Sequence, residues 1–549
     1  MRCKQVMKKF SCLMHELWSN RRKRSALFWG LGYLFVLLCG AGLVYYWRLI
    51  YGFNYFTTAA ATLLVCAFFS AMYAVVFATA RFVPQSLPIK AGLLIFFAGL
   101  CFTAVNPPLQ APDETMHFVR AYALGSGDFT FDKNRDYPKD VDALVQAFPG
   151  FYYSELVATE KRSMPQGFEL YYDLLNGEEP MREQASTLTQ QFLYYLPQAG
   201  GIALGRLFGA DALVCMYLAR AVNLLVYAFF CALAVYCASS FVPLLIALAA
   251  SPPALFIVSS CSPDALFLGA CWLFIGICLS DCFSKKRAAA LVVCFALMYC
   301  TKNTAIAMLP MIALVPQPQG FSSRWNKLTE KSWRYQAALG AVCLAAALIL
   351  FQALSLYTSL VSNYGRVEYA LEGIDGGAQL AFILSNPIRY IAVFLYSLYR
   401  DKANLFSSGA FGWMDLVEPF VNYFTPLVWM FAAALCARDG AKRGMKTAWV
   451  MLICALGMYA VTYTGLYLTS TPVTLREING VQTRYMMTGF FALFALAAIL
   501  IGRSDVLQDT QRQHTAKTPP AWRMLHFSYC FAVICAILLF QNYYIGTTI

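Results

Sequence analysis

Residues 91–124 read AGLLIFFAGLCFTAVNPPLQAPDETMHFVRAYAL, and the change of character at Asn106 decides the fold class. Up to Val105 the segment is apolar and uncharged. From Pro107 to Asp211 the chain is polar and rich in acids. An apolar run of about twenty residues crosses a hydrocarbon layer of ~30 Å as a helix, because only a helix or closed barrel satisfies its own backbone there. Asp113 and Glu114 are therefore an acidic pair at the lip of a membrane domain. Carboxylates at that level suit an interfacial transferase, since a lipid-linked substrate would present its phosphate and sugar there.

The rest of the chain repeats the apolar pattern. Of its 549 residues 59% are hydrophobic and 13% charged, against roughly 25% charged in a soluble domain. A soluble fold is excluded. The apolar periodicity predicts an all-α polytopic protein with thirteen spans: 26–47, 55–80, 91–106, 212–237, 241–260, 264–282, 288–301, 303–316, 336–357, 420–437, 447–467, 485–502 and 524–544. Segments 288–301 and 303–316 are short enough to form one broken hairpin instead.

A net charge of +13 would suggest a nucleic-acid partner in a soluble protein; here its distribution encodes topology. With the N-terminus cytoplasmic, the even-numbered connections collect Arg21–Arg24, Lys285–Arg287, Arg324 to Arg334, and Arg438 to Lys446. Some 25 of the 42 Lys and Arg then lie inside and 22 of the 29 acids outside, as the positive-inside rule requires. The expected organisation is a basic cytoplasmic segment, 1–25, and one transmembrane domain, 26–549, with outer loops 107–211 and 358–419. The C-terminus falls outside. The first apolar segment is too long for a cleavable signal and should remain as an anchor.

The 19 cysteines lie in the basic tail, in spans or at span edges, which suits packing thiols better than disulfides or zinc ligands. No Walker or Rossmann glycine pattern appears, which argues against an ATP-driven pump or an enzyme with its own nucleotide-sugar domain. Within the second outer loop, LAFILSNPIRYIAVFLYSLYR (380–400) reads as a helix lying in the membrane interface.

Five motifs stand in a distinctive order: PPLQAPDETMHFVRAYALGSGDF (107–129), SSCSPDALFLG (259–269), the lysine of YCTKNTAIAMLP (299–310), FGWMD (411–415) and NGVQTRYMM (479–487). The set resembles the bacterial domain-of-unknown-function 2142 membrane family, which is grouped with the GT-C glycosyltransferases. The resemblance spans residues 90–500. It implies a GT-C-like helical bundle that uses a polyprenyl-phosphate sugar donor at the extracytoplasmic face. One departure is visible: Gln482-Thr483-Arg484-Tyr485 stands where that family has Gln-Gly-Arg-Tyr, which bears on close backbone approach to a ligand.

Each candidate has a chemical and a plainer reading. Asp113 or Glu114 can act as general base toward an acceptor hydroxyl, but acids after Pro112 also stabilise a helix start through its dipole. His117 shares a helical face with Asp113 and Arg120 and joins the catalytic candidates, although a lone interfacial histidine is more often a hydrogen-bonding residue. Two carboxylates leave room for a divalent cation, with no further ligand spacing to support one. Arg220, with Asn223, lies inside a span and needs a partner there, as a structural ion pair or as a phosphate contact. Asp264 reads first as a helix cap and second as a partner for Arg220 or Lys302. Lys302 interrupts an apolar run, where a helix break would turn its ammonium into a cavity. Arg484 and Lys302 are the leading donor-phosphate ligands, although Arg484 could equally anchor to headgroups. Trp413, Asp415, Gln482 and Tyr485 are candidate sugar contacts.

The expected function is transfer of a sugar from a polyprenyl-phosphate donor to a surface glycan, wall polymer or lipid-linked acceptor at a bacterial plasma membrane. A transporter or flippase of lipid-linked glycan, or a non-catalytic subunit of a cell-envelope polymer complex, stays open as an alternative.

Overall fold

The structure is a computed structural model that describes residues 21–52, 54–129, 138–149, 164–177, 192–316, 332–361, 373–401, 410–412, 416–473, 475–503 and 520–545. Its contacts divide the chain into two units, Met1–Gln85 and Ser86–Thr548.

The first unit is a helical hairpin, α1 (Arg21–Tyr51) and α2 (Tyr55–Arg81). Asn54 starts α2 by accepting the Thr57 N–H at 2.8 Å, which satisfies one of the orphan donors of a helix N-terminus. The helices are joined by the Tyr73 hydroxyl donating to the Trp29 carbonyl at 2.6 Å and by the Tyr33–Ser70 hydroxyl pair at 2.8 Å. Their outer faces leave Phe35, Leu38, Leu63 and Leu64 exposed, as lipid-facing side chains are.

The second unit runs α3 (Leu87–Val105), α4 (Glu114–Gly125), α5 (Lys139–Ala147), α6 (Met164–Asn176), a 3₁₀ turn (Phe192–Tyr195) into α7 (Leu196–Leu207), and α8 (Ala212–Cys237). Then follow α9 (Val242–Ala249), α10 (Pro252–Val258), α11 (Asp264–Cys278), α12 (Lys285–Thr301), a 3₁₀ segment (Asn303–Leu314) and α13 (Ser332–Val361). The remainder is α14 (Gly376–Ser385), α15 (Pro387–Arg400), a two-stranded antiparallel ribbon (Ala410–Phe411 with Leu416–Val417), α16 (Pro419–Leu435), α17 (Ala437–Ser470), a 3₁₀ turn (Thr483–Met486), α18 (Met487–Gly502) and α19 (Pro520–Phe540).

Helix α8 is the post around which this unit is built, packing against α3, α7 and α11. Asp211 caps it by accepting the Val214 N–H at 2.9 Å. Small residues let neighbours approach its backbone: a Cβ on Gly201 would meet the Leu218 carbonyl at 2.6 Å, and one on Gly276 would meet the Ala234 carbonyl at 2.5 Å. Such close approach is how apolar helices gain packing energy without a hydrophobic drive between them.

The all-α polytopic class holds. Among the described residues, eight helices are long and apolar enough to cross a membrane, or nine if the bent pair α14–α15 makes one span. The eight coincide with eight of the thirteen expected spans, and the other five are shorter elements. Segment 241–260 divides into α9 and α10 because Pro252 and Pro253 start a new helix after Ser251. Asp264–Cys278 and Pro419–Leu435 stop at 15 and 17 residues. Between α14 and α15 the chain turns by 112° at Asn386-Pro387, where Pro387 takes the first helical position.

Polar ends of the second unit gather at two poles. At one, Arg443 donates to the Asp281 carboxylate at 2.9 Å, the Ser240 hydroxyl at 3.0 Å and the Leu279 carbonyl at 2.7 Å. In the expected topology these residues lie at or beside connections on one side of the membrane. Gly444, at φ 73°, breaks α17 beside that cluster. Residues from connections assigned to the other side form the candidate site.

Candidate functional site

The turn from Pro107 to Asp113 carries two non-glycine residues in the left-handed region, Leu109 at φ 60° and Asp113 at φ 59°. That conformation is uncommon for any L-residue and costs most for a bulky one, so surrounding contacts must hold it. Its effect is to separate two adjacent carboxylates. Helix α4 begins at Glu114, and Asp113, in the cap position, makes no side-chain capping bond. The dipole explanation thus fits Glu114 by position, while the Asp113 carboxylate points elsewhere.

Glu114 is fully buried and grips Arg220 of α8 in a bidentate pair, Nε to Oε1 at 2.8 Å and Nη2 to Oε2 at 2.7 Å. Its oxygens also accept the Cys261 N–H at 2.9 Å and the Ala111 N–H at 3.3 Å. Arg220 spends its remaining donors on the Asn106 and Pro107 carbonyls at 2.7 and 2.9 Å. Neither side chain has surface for a substrate. Glu114, expected as a possible base, and Arg220, expected as an ion pair or a phosphate contact, form a buried pair that ties α4 and the 106–107 turn to α8.

Asp113 takes the opposite course. Its side chain is 45% exposed, and its Oδ2 accepts from Arg484 Nη2 at 3.1 Å. Arg484 also reaches Asp264 Oδ2 through Nη1 at 3.5 Å, and Asp264 pairs with Lys302. The four groups form an alternating chain, Asp113, Arg484, Asp264, Lys302. A residue from each of four connections supplies it. Alternation of sign is what lets buried charge persist, because each group stabilises its neighbours' ionised forms.

Local structure explains each position. The backbone leaves helical geometry at Lys302 (φ −144°), which ends α12 and starts the 3₁₀ segment. Asp264 begins α11 without capping it; the Ser262 hydroxyl accepts the Asp264 N–H instead, at 3.2 Å. The 259–263 loop is held by Asn223, whose amide donates to the Ser260 and Ser262 carbonyls at 2.8 and 2.9 Å, and by Gln198, which donates to Ser262 at 2.9 Å. Asn223 therefore places Asp264, and Asp264 is the partner of Lys302 and Arg484 rather than of Arg220.

Arg484 lies in the 3₁₀ turn before α18 and is buried, so it is no headgroup anchor. Its neighbour Thr483 has negative φ, and a glycine is not required there. Tyr485 accepts from Arg484 Nη2 through its hydroxyl at 3.2 Å and offers its ring to Lys302, 4.9 Å from the centroid. The buried Oε1 of Gln482 and the Nε of Arg484 have no hydrogen-bond partner among the described residues. Unsatisfied polar atoms beside an ion network are where a polar ligand gains most.

His117 stands one turn behind Asp113, buried, with Nδ1 2.8 Å from the Tyr195 hydroxyl. Burial, opposed by the Asp113 and Asp264 charges, pushes its pKa down to about 4. At neutral pH it is an uncharged hydrogen-bonding wall. Tyr195 and the Asn223–Gln198 brace support the candidate site in roles the sequence did not single out. Trp413 and Asp415 lie outside the described residues.

Lys302 and Tyr485 open onto a cavity of about 620 Å³ whose other walls include Tyr194, Asn303, Phe351 and Thr462. Its lining mixes polar side chains, Lys302, Asn303 and several threonines, with the aromatic rings of Tyr194, Phe351 and Tyr485. Among the described residues no group of three His, Cys, Asp or Glu side chains could hold a metal ion. A divalent cation would have to share Asp113 and Asp264 with Arg484 and Lys302.

No curated protein and no solved structure matches the chain. The family model for predicted membrane proteins named DUF2142 matches residues 96–494, a stretch that lies wholly in the second unit and contains every residue of the ion network. The chain belongs to the DUF2142 family of predicted membrane proteins.

Proposed function

We propose that this membrane protein is an inverting GT-C-like glycosyltransferase of a bacterial plasma membrane. It moves a sugar from a polyprenyl-phosphate donor to a glycan or lipid-linked acceptor at the extracytoplasmic face. The observation that supports this most is the half-exposed Asp113 carboxylate at one end of a cation-carboxylate chain whose other end, Lys302, lines a cavity. Asp113 takes the acceptor hydroxyl proton as that oxygen bonds to the anomeric carbon. The bond from that carbon to the phosphate oxygen breaks in the same step, and the lipid phosphate leaves with the electron pair. Lys302, helped by Arg484, stabilises the charge on the leaving phosphate. Gln482 and Tyr485 contact the sugar, and Asp264 keeps both cations in place and charged.

The test is transfer from a polyprenyl-phosphate sugar by purified full-length protein. Asp113→Asn should lower turnover by about 10²–10⁴, the usual worth of a positioned base, with donor binding retained. Absence of transfer from every polyprenyl-phosphate donor offered, with donor binding also absent, would refute the reading.

A further inference from the structure

A second cavity, of about 920 Å³, lies between α15 and the segment that precedes Arg484. Arg389, Ala392, Val393 and Tyr396 line it from α15 at helical spacing, and Arg476 and Glu477 face them across it. Its walls are pinned. Arg400 pairs with Glu477 at 3.1 Å and donates to the Ile478 carbonyl at 2.5 Å, while the Ile478 N–H reaches the Ser397 hydroxyl at 2.9 Å. Asp401 holds Arg400 at 2.8 Å and accepts from the Tyr463 hydroxyl at 3.2 Å. On the far side Gln379 donates to the Thr471 and Pro472 carbonyls.

The charge left over is positive. Asp401 and Glu477 share Arg400, whereas Arg389 and Arg476, both exposed, have no carboxylate partner among the described residues, so three arginines face two carboxylates. Tyr396, Tyr467 and Phe382 supply aromatic surface beside them. The outer stripe of α15, with Leu384 just before it, exposes Ile388, Ile391, Leu395 and Tyr399 at 54–81%. One amphipathic helix thus carries an apolar stripe suited to acyl chains and, one residue round, an arginine that faces a cavity. Helix α17 separates this cavity from the first: Tyr467 faces here, and Thr462, Gly465 and Thr469 face there.

We infer that this cavity binds the phosphate of an anionic membrane lipid, with the planar guanidinium groups of Arg389 and Arg476 on the phosphate oxygens and the lipid chain along the α15 stripe. The site is independent of the transferase reading, because binding is measured without turnover.

The test uses full-length protein in detergent, titrated calorimetrically with short-chain phosphatidic acid, with inorganic phosphate and with the matching diacylglycerol. Phosphatidic acid should bind, diacylglycerol should not, and Arg389→Gln with Arg476→Gln should weaken phosphatidic acid binding about tenfold or more, as expected for lost charged hydrogen bonds. Arg206→Gln, at an exposed arginine elsewhere, should leave affinity unchanged. Thermal unfolding of the double variant at the wild-type temperature shows that the fold is intact, since both arginines are exposed. Equal affinity in wild type and double variant would overturn the site. Competition by inorganic phosphate at concentrations similar to the lipid's would overturn the lipid assignment.

Discussion

Two arginine-carboxylate pairs start from neighbouring residues and end in opposite surroundings. Glu114 and Arg220 are both fully buried, bidentate and saturated with backbone partners. Asp113 and Arg484 meet through a single 3.1 Å contact, with the carboxylate 45% exposed and the Arg484 Nε unsatisfied. The first arrangement leaves nothing to bind a ligand. The second keeps an acceptor oxygen and a donor in reserve and connects through Asp264 to the cavity-lining Lys302, and the left-handed turn at Asp113 is what diverts one carboxylate from the other. Burial and saturation separate a structural ion pair from a candidate catalytic one better than residue type does.

Breaking the sealed pair should have the largest effect. Arg220→Met leaves Glu114 buried without its cation and should cost about 3–5 kcal/mol, read as a large fall in the apparent melting temperature and yield of purified protein. Glu114→Gln combined with Arg220→Met should recover part of that loss. If Arg220→Met unfolded at the wild-type temperature, the pair would not be the brace described above.

Breaking the open pair should leave the fold nearly intact. Asp113→Asn changes stability by about 1 kcal/mol or less, since a half-exposed pair is screened by solvent. Its cost should appear in turnover instead.

Acid should report on the wall behind Asp113. The His117 pKa falls from 6.5 to about 4 on folding because burial disfavours its charged form. Above pH 6.5 the ring is neutral in both states, so it adds no pH dependence. As pH falls from 6.5 toward 4 the unfolded chain binds the proton first, and stability is lost by up to about 3 kcal/mol. Melting temperatures at pH 7 and pH 5 should differ more in wild type than in His117→Gln; equal differences would place the acid sensitivity elsewhere.

The smallest effect belongs to Thr483. Because its φ is negative, Thr483→Gly relieves no backbone strain; it should cost about 1–2 kcal/mol through backbone entropy and the lost buried side chain and leave transfer per folded molecule unchanged. A large gain in transfer would show that close backbone approach at Gln482–Arg484 matters after all.

Much of this was legible in the chain. The charge asymmetry assigns the connections to the same two groups that the structure gathers into poles, with Arg443 and Asp281 at one and Asp113, Asp264, Lys302 and Arg484 at the other. An arginine inside a span announces a buried partner, and Lys302 announces a helix end. The choice between Asp113 and Glu114 was not legible, because it depends on a left-handed turn that no local pattern encodes and on the approach of α8 from a hundred residues away in sequence. Ser262 and Asp264 both read as possible caps because helix starts favour serine and aspartate; the folded chain shows the Ser262 hydroxyl on the Asp264 N–H and the Asp264 carboxylate turned toward two cations. The short elements α9 and α10 read as one span because apolar length alone cannot register a break at Ser251-Pro252.

The most direct test of the central claim is turnover per folded molecule with a polyprenyl-phosphate sugar donor in Asp113→Asn. The account predicts a loss of about 10²–10⁴ with melting temperature and donor affinity near wild type. Wild-type turnover in that variant would contradict it.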